Sequence, residues 1–227
     1  MNKHVLILFI LATFLSCAEK EVKLPETSLN AITDILDVSP IYMFYNEEDG
    51  SVEFNRNNMI STTNWLVNID KRLTLEQILP HLEYLQNKRN KASMHKNELA
   101  KNYLTCFNPE TKSLSFIDFT TTEFYSNSAL NHFKTNARET NYSNKVFVSI
   151  QDSSKVMINK DFEFIETTYD SFNKLLFNMV LKDDNLNTIY LSFHHKLSYQ
   201  NYIAIKSQLL KTAFKNAQLA KEEFIYN

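Results

Sequence analysis

The chain has 227 residues, 24 basic and 26 acidic side chains, a formal net charge of −2, 44% hydrophobic and 13% aromatic content, and a single glycine. That charge balance leaves no basic footprint for nucleic acid. One glycine excludes the phosphate-cradling loops and dinucleotide fingerprints, which need glycines at fixed offsets. The apolar content is enough for packed cores, which argues against global disorder.

Lys3 and His4 precede an apolar run from Val5 to Leu15, followed by Ser16-Cys17. This run is shorter than the ~20 residues a helix needs to cross a bilayer, and its layout is that of a secretory signal. Phe14-Leu15-Ser16-Cys17 resembles the lipobox of bacterial lipoproteins, with Phe14 standing where a smaller aliphatic residue is usual. The resemblance implies that residues 1–16 are removed and that Cys17 carries the lipid, palmitate included. The protein would then be anchored to a membrane of the cell envelope, facing the periplasm or exposed at the surface. Cys106 remains as the other thiol, so no intrachain disulfide is expected. Its expected role is a buried structural one.

Residues 17–38 read as a polar tether with a short amphipathic stretch around Leu29, Ile32, Ile35 and Leu36. From residue 39 to 120 the pattern predicts an N-terminal α+β unit. Ile41–Tyr45 and Val52–Phe54 alternate around Asp49-Gly50, a hairpin signal. Asn64–Asp70 reads as a strand. Thr74 and Gln77 fit a capping box before a helix with Leu75, Ile78, Leu79, Leu82 and Leu85 on one face. Pro80 should kink that helix, and Lys88-Arg89-Asn90-Lys91 reads as its solvated basic end. Ser113–Phe119 is a further strand.

Residues 121–144 read as a linker, and 145–227 as a second α+β unit. Val146–Ile150 and Val156–Ile158 form a hairpin, Tyr169–Leu181 a helix and Thr188–Phe193 a strand. Ser198 opens a helix whose stripe runs from Tyr199 through Phe214 to Ala217. The expected order is ββαβα, and the expected fold class is α+β, two small sheet-plus-helix units.

The two units echo each other. Trp65–Gln77 lines up with Ile189–Asn201, each a strand, a polar turn ending in leucine, a Thr or Ser cap and an amphipathic helix; the hairpins Ile41–Asn55 and Val146–Asn159 also correspond. Nothing in the first unit matches the helix Tyr169–Leu181. Chance similarity between two strand–helix segments is the alternative to a true repeat.

Three pieces of the second unit carry a resemblance to the periplasmic domain of ExbD/TolR proteins, Bacteroidetes-type ExbD in particular. They are the opening hairpin Val146–Asn159, the strand Thr188–Phe193, and the helix start Ser198-Tyr-Gln-Asn-Tyr-Ile203 within Ser198–Leu210. The resemblance covers residues about 145–222. It implies a non-enzymatic role in envelope contacts, with ExbB-, TonB- or ExbD-like partners or self-association, in a biopolymer-transport system. ExbD couples to the proton gradient through a membrane helix bearing an aspartate. Val5–Ser16 has no acidic residue, and proton coupling needs an ionisable group in the membrane, so the motor function is not expected here. The alternative is an envelope lipoprotein that binds a small ligand or glycan with no transport role.

No cofactor, metal, nucleotide or catalytic residue is expected. His194 and His195 are adjacent on a strand or at its end and should point to opposite faces, away from a shared metal. His81 and His95 flank a helix end with no carboxylate or cysteine at ligand spacing. Glu47-Glu48-Asp49 and Asp183-Asp184 fit turns. Tyr199, Tyr202 and Ile203 share one helical face, read as core or as an interaction face.

Overall fold

The computed structural model describes residues 20–30, 32–91, 97–135, 142–183 and 185–227. The chain is α+β, with two mixed sheets. In the first, β1 (Val38–Tyr45) runs parallel to β3 (Asn64–Ile69), which runs parallel to β4 (Asn102–Asn108). The antiparallel strands β2 (Val52–Asn55) and β5 (Ser113–Asp118) close the edges, giving β2-β1-β3-β4-β5. Alternation places Ile41 and Met43 of β1, and Trp65, Val67 and Ile69 of β3, in the core. Gly50, at φ +72°, makes the left-handed residue of the β1–β2 turn.

Helix α1 (Leu75–Asn90) runs on through Pro80. Thr74 N–H donates to Gln77 Oε1 at 2.9 Å, the glutamine half of the capping box. The basic helix end is not wholly solvated as expected. Arg89 is buried over the Trp65 ring, 3.7 Å from its centroid, and donates to the carbonyls of Ser61 and Thr63 and to Asn102 Oδ1. Burial lowers its pKa to about 10.

The second sheet holds β6 (Glu123–Tyr125), β7 (Lys145–Ile150), β8 (Val156–Lys160), β9 (Glu163–Thr167), β10 (Asn187–His194) and β11 (Ala217–Tyr226), in the order β6-β11-β10-β7-β8-β9. The helices here are α2 (Ala129–Thr135), α3 (Tyr169–Leu181) and α4 (Tyr199–Lys211). The expected ββαβα elements are present, with β9 and β11 in addition. Ala217 is not part of a helical stripe: α4 stops at Lys211, and Ala217 begins a strand held by β10 on one side and β6 on the other. The stretch expected as a linker, 121–144, carries β6 and α2. The expected tether is also tied down from Lys23 to Leu29, with Lys23 N–H on Asp70, Thr27 and Leu29 buried and Glu26 bridged to Phe107. Among the described residues no helix is long and apolar enough to cross a membrane.

The internal echo has a geometric counterpart. Thr74 and Ser198 form an antiparallel bridge, and the bonds around it are reciprocal under the offset of 124 residues that separates them. Leu75 N–H donates to the Leu197 carbonyl at 2.9 Å, and Tyr199 N–H to the Leu73 carbonyl at 2.7 Å. Glu76 N–H donates to the His195 carbonyl at 2.9 Å, and Gln200 N–H to the Lys71 carbonyl at 3.1 Å. Residue i meets j and j meets i, the signature of a two-fold isologous contact. Each helix thus uses the other half's turn to satisfy first-turn N–H groups that have no partner within the helix. The hairpins correspond with a slip of two residues: Ile69 pairs with Met43 as Phe193 pairs with Ile150, so Ile41 matches Val148 rather than Val146. An even slip keeps every side chain on its face. One continuous core joins the halves, from Ile41, Trp65 and Leu104 to Val148, Ile189 and Phe193.

Candidate functional site

One side of α1, polar apart from Leu79 and Pro80, lines a cleft whose far wall is residues 120–128 with Asn131. Two cavities of about 440 and 620 Å³ share Glu83 as a common wall. Helix residues 76, 79, 80, 83, 86, 87 and 90 line it, a three-and-four spacing that keeps them on one side of the helix. At 1.5 Å per residue this stripe is ~21 Å long.

Carboxylates, amides and hydroxyls dominate the lining. At one end His195 Nδ1 lies 2.6 Å from Glu76 Oε2, beside Tyr226. At the other, Lys221 Nζ lies 2.7 Å from Glu123 Oε1, and the Tyr125 hydroxyl donates to Glu123 Oε2 at 3.0 Å. The Lys221 ammonium and the Tyr125 hydroxyl hold the Glu123 carboxyl below its ordinary range. The Tyr125 ring is stacked on Phe224 at 5.3 Å, which fixes this wall to the sheet. Midway, Glu83 forms no ion pair among the described residues, and the buried Gln86 Nε2 has no hydrogen-bond partner there.

Sequence reasoning did not find this cleft, because its walls come from the two different halves. The residues it did single out lie elsewhere, His195 excepted. Cys17 is outside the described residues, as are His95 and Asp184. Tyr199, Tyr202 and Ile203 are buried in the core. The Tyr202 hydroxyl donates to Glu223 Oε2 at 2.6 Å, and the Lys206 ammonium pairs with Glu223 Oε1. Burial, then the Glu223 charge, pushes the Tyr202 hydroxyl well above its ordinary pKa. Among the described residues the Tyr199 hydroxyl has no hydrogen-bond partner. Burial likewise pushes the thiol of Cys106, in the first sheet, up to about 12. That thiol is buried, as expected.

His194 and His195 do not diverge. Their rings meet at 4.7 Å because His195 lies one residue past the end of β10, where alternation no longer holds. Among the described residues no group of His, Cys, Asp and Glu is placed to hold a metal ion. His81 lies against Phe54, with ring centroids 4.5 Å apart. Glu47 pairs with Arg72, Asp49 accepts from Ser51 N–H within its turn, and Asp183 pairs with Lys160 at 2.8 Å. These groups are scattered over separate elements and build no common site.

No family model, curated protein or solved structure matches this chain.

Proposed function

We propose that this is a lipid-anchored cell-envelope protein that works by binding other proteins, as a non-enzymatic accessory of a biopolymer-transport system of the TonB/ExbB/ExbD kind. The observation that carries this reading is the reciprocal junction at Thr74 and Ser198. Two α+β units, the second with an ExbD/TolR-like run of sequence, meet as two subunits of a dimer would, and such units act by association. The outer strand β9 supports it further. Among the described residues it is paired on one side only, and Phe162 and Phe164 are 68% and 58% exposed on or beside it, an edge of the kind that accepts protein contacts.

A second reading, binding of a small ligand or glycan, draws support from the amide-rich cleft along α1. Two measurements separate them. Metabolic palmitate labelling should mark the wild-type chain and fail on Cys17→Ser. A pull-down from crosslinked envelopes should then return an ExbB-, TonB- or ExbD-like protein. Labelling without any such partner would sink the transport role.

A further inference from the structure

The two halves treat their long helices differently. On α4, Gln200, Ser207 and Lys211 hold a piece of the chain's own N-terminal segment. Gln200 Oε1 accepts from the Glu26 N–H at 2.8 Å, and its Nε2 donates to the Glu26 carbonyl at 3.1 Å. Thr27 Oγ1 donates to Ser207 Oγ at 2.8 Å, and the Lys211 ammonium donates to Ser28 Oγ. The segment is extended here and bridges Phe107 in parallel, with Thr27 N–H on the Phe107 carbonyl and Phe107 N–H on the Pro25 carbonyl, both at 2.9 Å. One side-chain amide reading both backbone groups of a residue is a peptide-recognition contact.

Under the offset that relates Ser198 to Thr74, these three residues become Glu76, Glu83 and Asn87 of α1. All three line the open cleft. The same helix face is therefore filled by an extended peptide in one half and left open in the other.

We propose that the cleft along α1 receives an extended segment of a partner protein, held as α4 holds residues 26–28. The exchange of residue types defines its chemistry. Where α4 presents Ser207 and the Lys211 cation, α1 presents the Glu83 carboxylate and the Asn87 amide. Glu76 is matched by His195 and Glu123 by Lys221, which leaves Glu83 to meet a lysine or arginine of the guest. At ~3.4 Å per extended residue the ~21 Å cleft spans about six residues. The guest is thus a short, basic stretch in extended form. This deepens the protein-binding reading above without depending on which system supplies the partner.

The test is to pan a random dodecamer library on phage against the purified full-length chain and to titrate the enriched peptides by fluorescence anisotropy. Enrichment of lysine- or arginine-bearing peptides is expected. Their affinity should fall about ten-fold or more on Glu83→Lys and stay unchanged on Lys174→Glu, an exposed position on α3. Asn87→Arg, on an exposed residue, serves if Glu83→Lys lowers the melting temperature. No enrichment, or binders indifferent to both cleft variants, would overturn the proposal. So would chitotetraose binding that competes at the cleft in place of peptide. Peptide binding without palmitate labelling or transport partners would sink the wider role and leave the cleft assignment standing; the converse would sink the cleft alone.

Discussion

Thr74 and Ser198, the caps that open the two long helices, face each other as an antiparallel bridge at the junction of the halves. Four backbone bonds flank the bridge, so the contact is largely independent of side-chain identity. That explains how two halves with different side chains there keep a two-fold relationship.

The junction predicts a difference between two substitutions at Leu75. Proline suits the first helical position, and the extended Thr74 before it tolerates a following proline. Leu75→Pro should nonetheless be less stable than Leu75→Ala by about 1–3 kcal/mol, because only proline leaves the Leu197 carbonyl without its donor. Urea unfolding compares the two. Equal midpoints would mean that the reciprocal bonds contribute nothing.

The buried network of Tyr202, Glu223 and Lys206 behaves differently from the exposed ion pairs. Lys206→Met strands the Glu223 carboxylate in the core and should cost about 3–5 kcal/mol. Adding Glu223→Leu should restore a large part of that loss, since removing both charges removes the desolvation penalty. A double-mutant cycle by urea unfolding decides it; a double variant no more stable than Lys206→Met would contradict the account.

Asp70 ties acid stability to the first half. Burial alone raises its pKa, but the Arg72 side chain, with the backbone N–H groups of Arg72 and Lys23, outweighs burial and holds it below the ordinary 3.8. A lowered folded pKa stabilises above the unfolded value and loses that contribution as pH falls through the folded one. Asp70→Asn should therefore melt lower than wild type near neutrality, and the gap should narrow below about pH 4. Melting temperatures across that range give the answer, and a constant gap would refute the assignment.

Much of the fold was legible in the sequence, and the failures share a cause. Helix Tyr169–Leu181 and strand Asn64–Ile69 follow directly from their periodicity. Ala217–Tyr226 did not read as a strand, because Ala-Gln-Leu-Ala-Lys-Glu-Glu is locally a helix former. Its pairing with β10 and β6 overrides that preference. Asn102–Asn108 was missed because it is buried on both faces and shows no alternation. Gln77 and Thr74 announced a cap. Nothing in their neighbourhood announced that Glu76, Glu83 and Asn87 face residues 120–131, because that wall comes from forty residues or so further along the chain.

The most direct test of the account is site-specific crosslinking in living cells, with benzoylphenylalanine at Asn87 in the cleft and at Lys174 as a control. An anchored protein that takes a partner's segment into the cleft should give an Asn87 adduct with an ExbB-, ExbD- or TonB-like envelope protein. The adduct should be absent at Lys174 and lost when Cys17→Ser removes the anchor. Equal adducts at both positions, or an Asn87 adduct indifferent to Cys17→Ser, would contradict it.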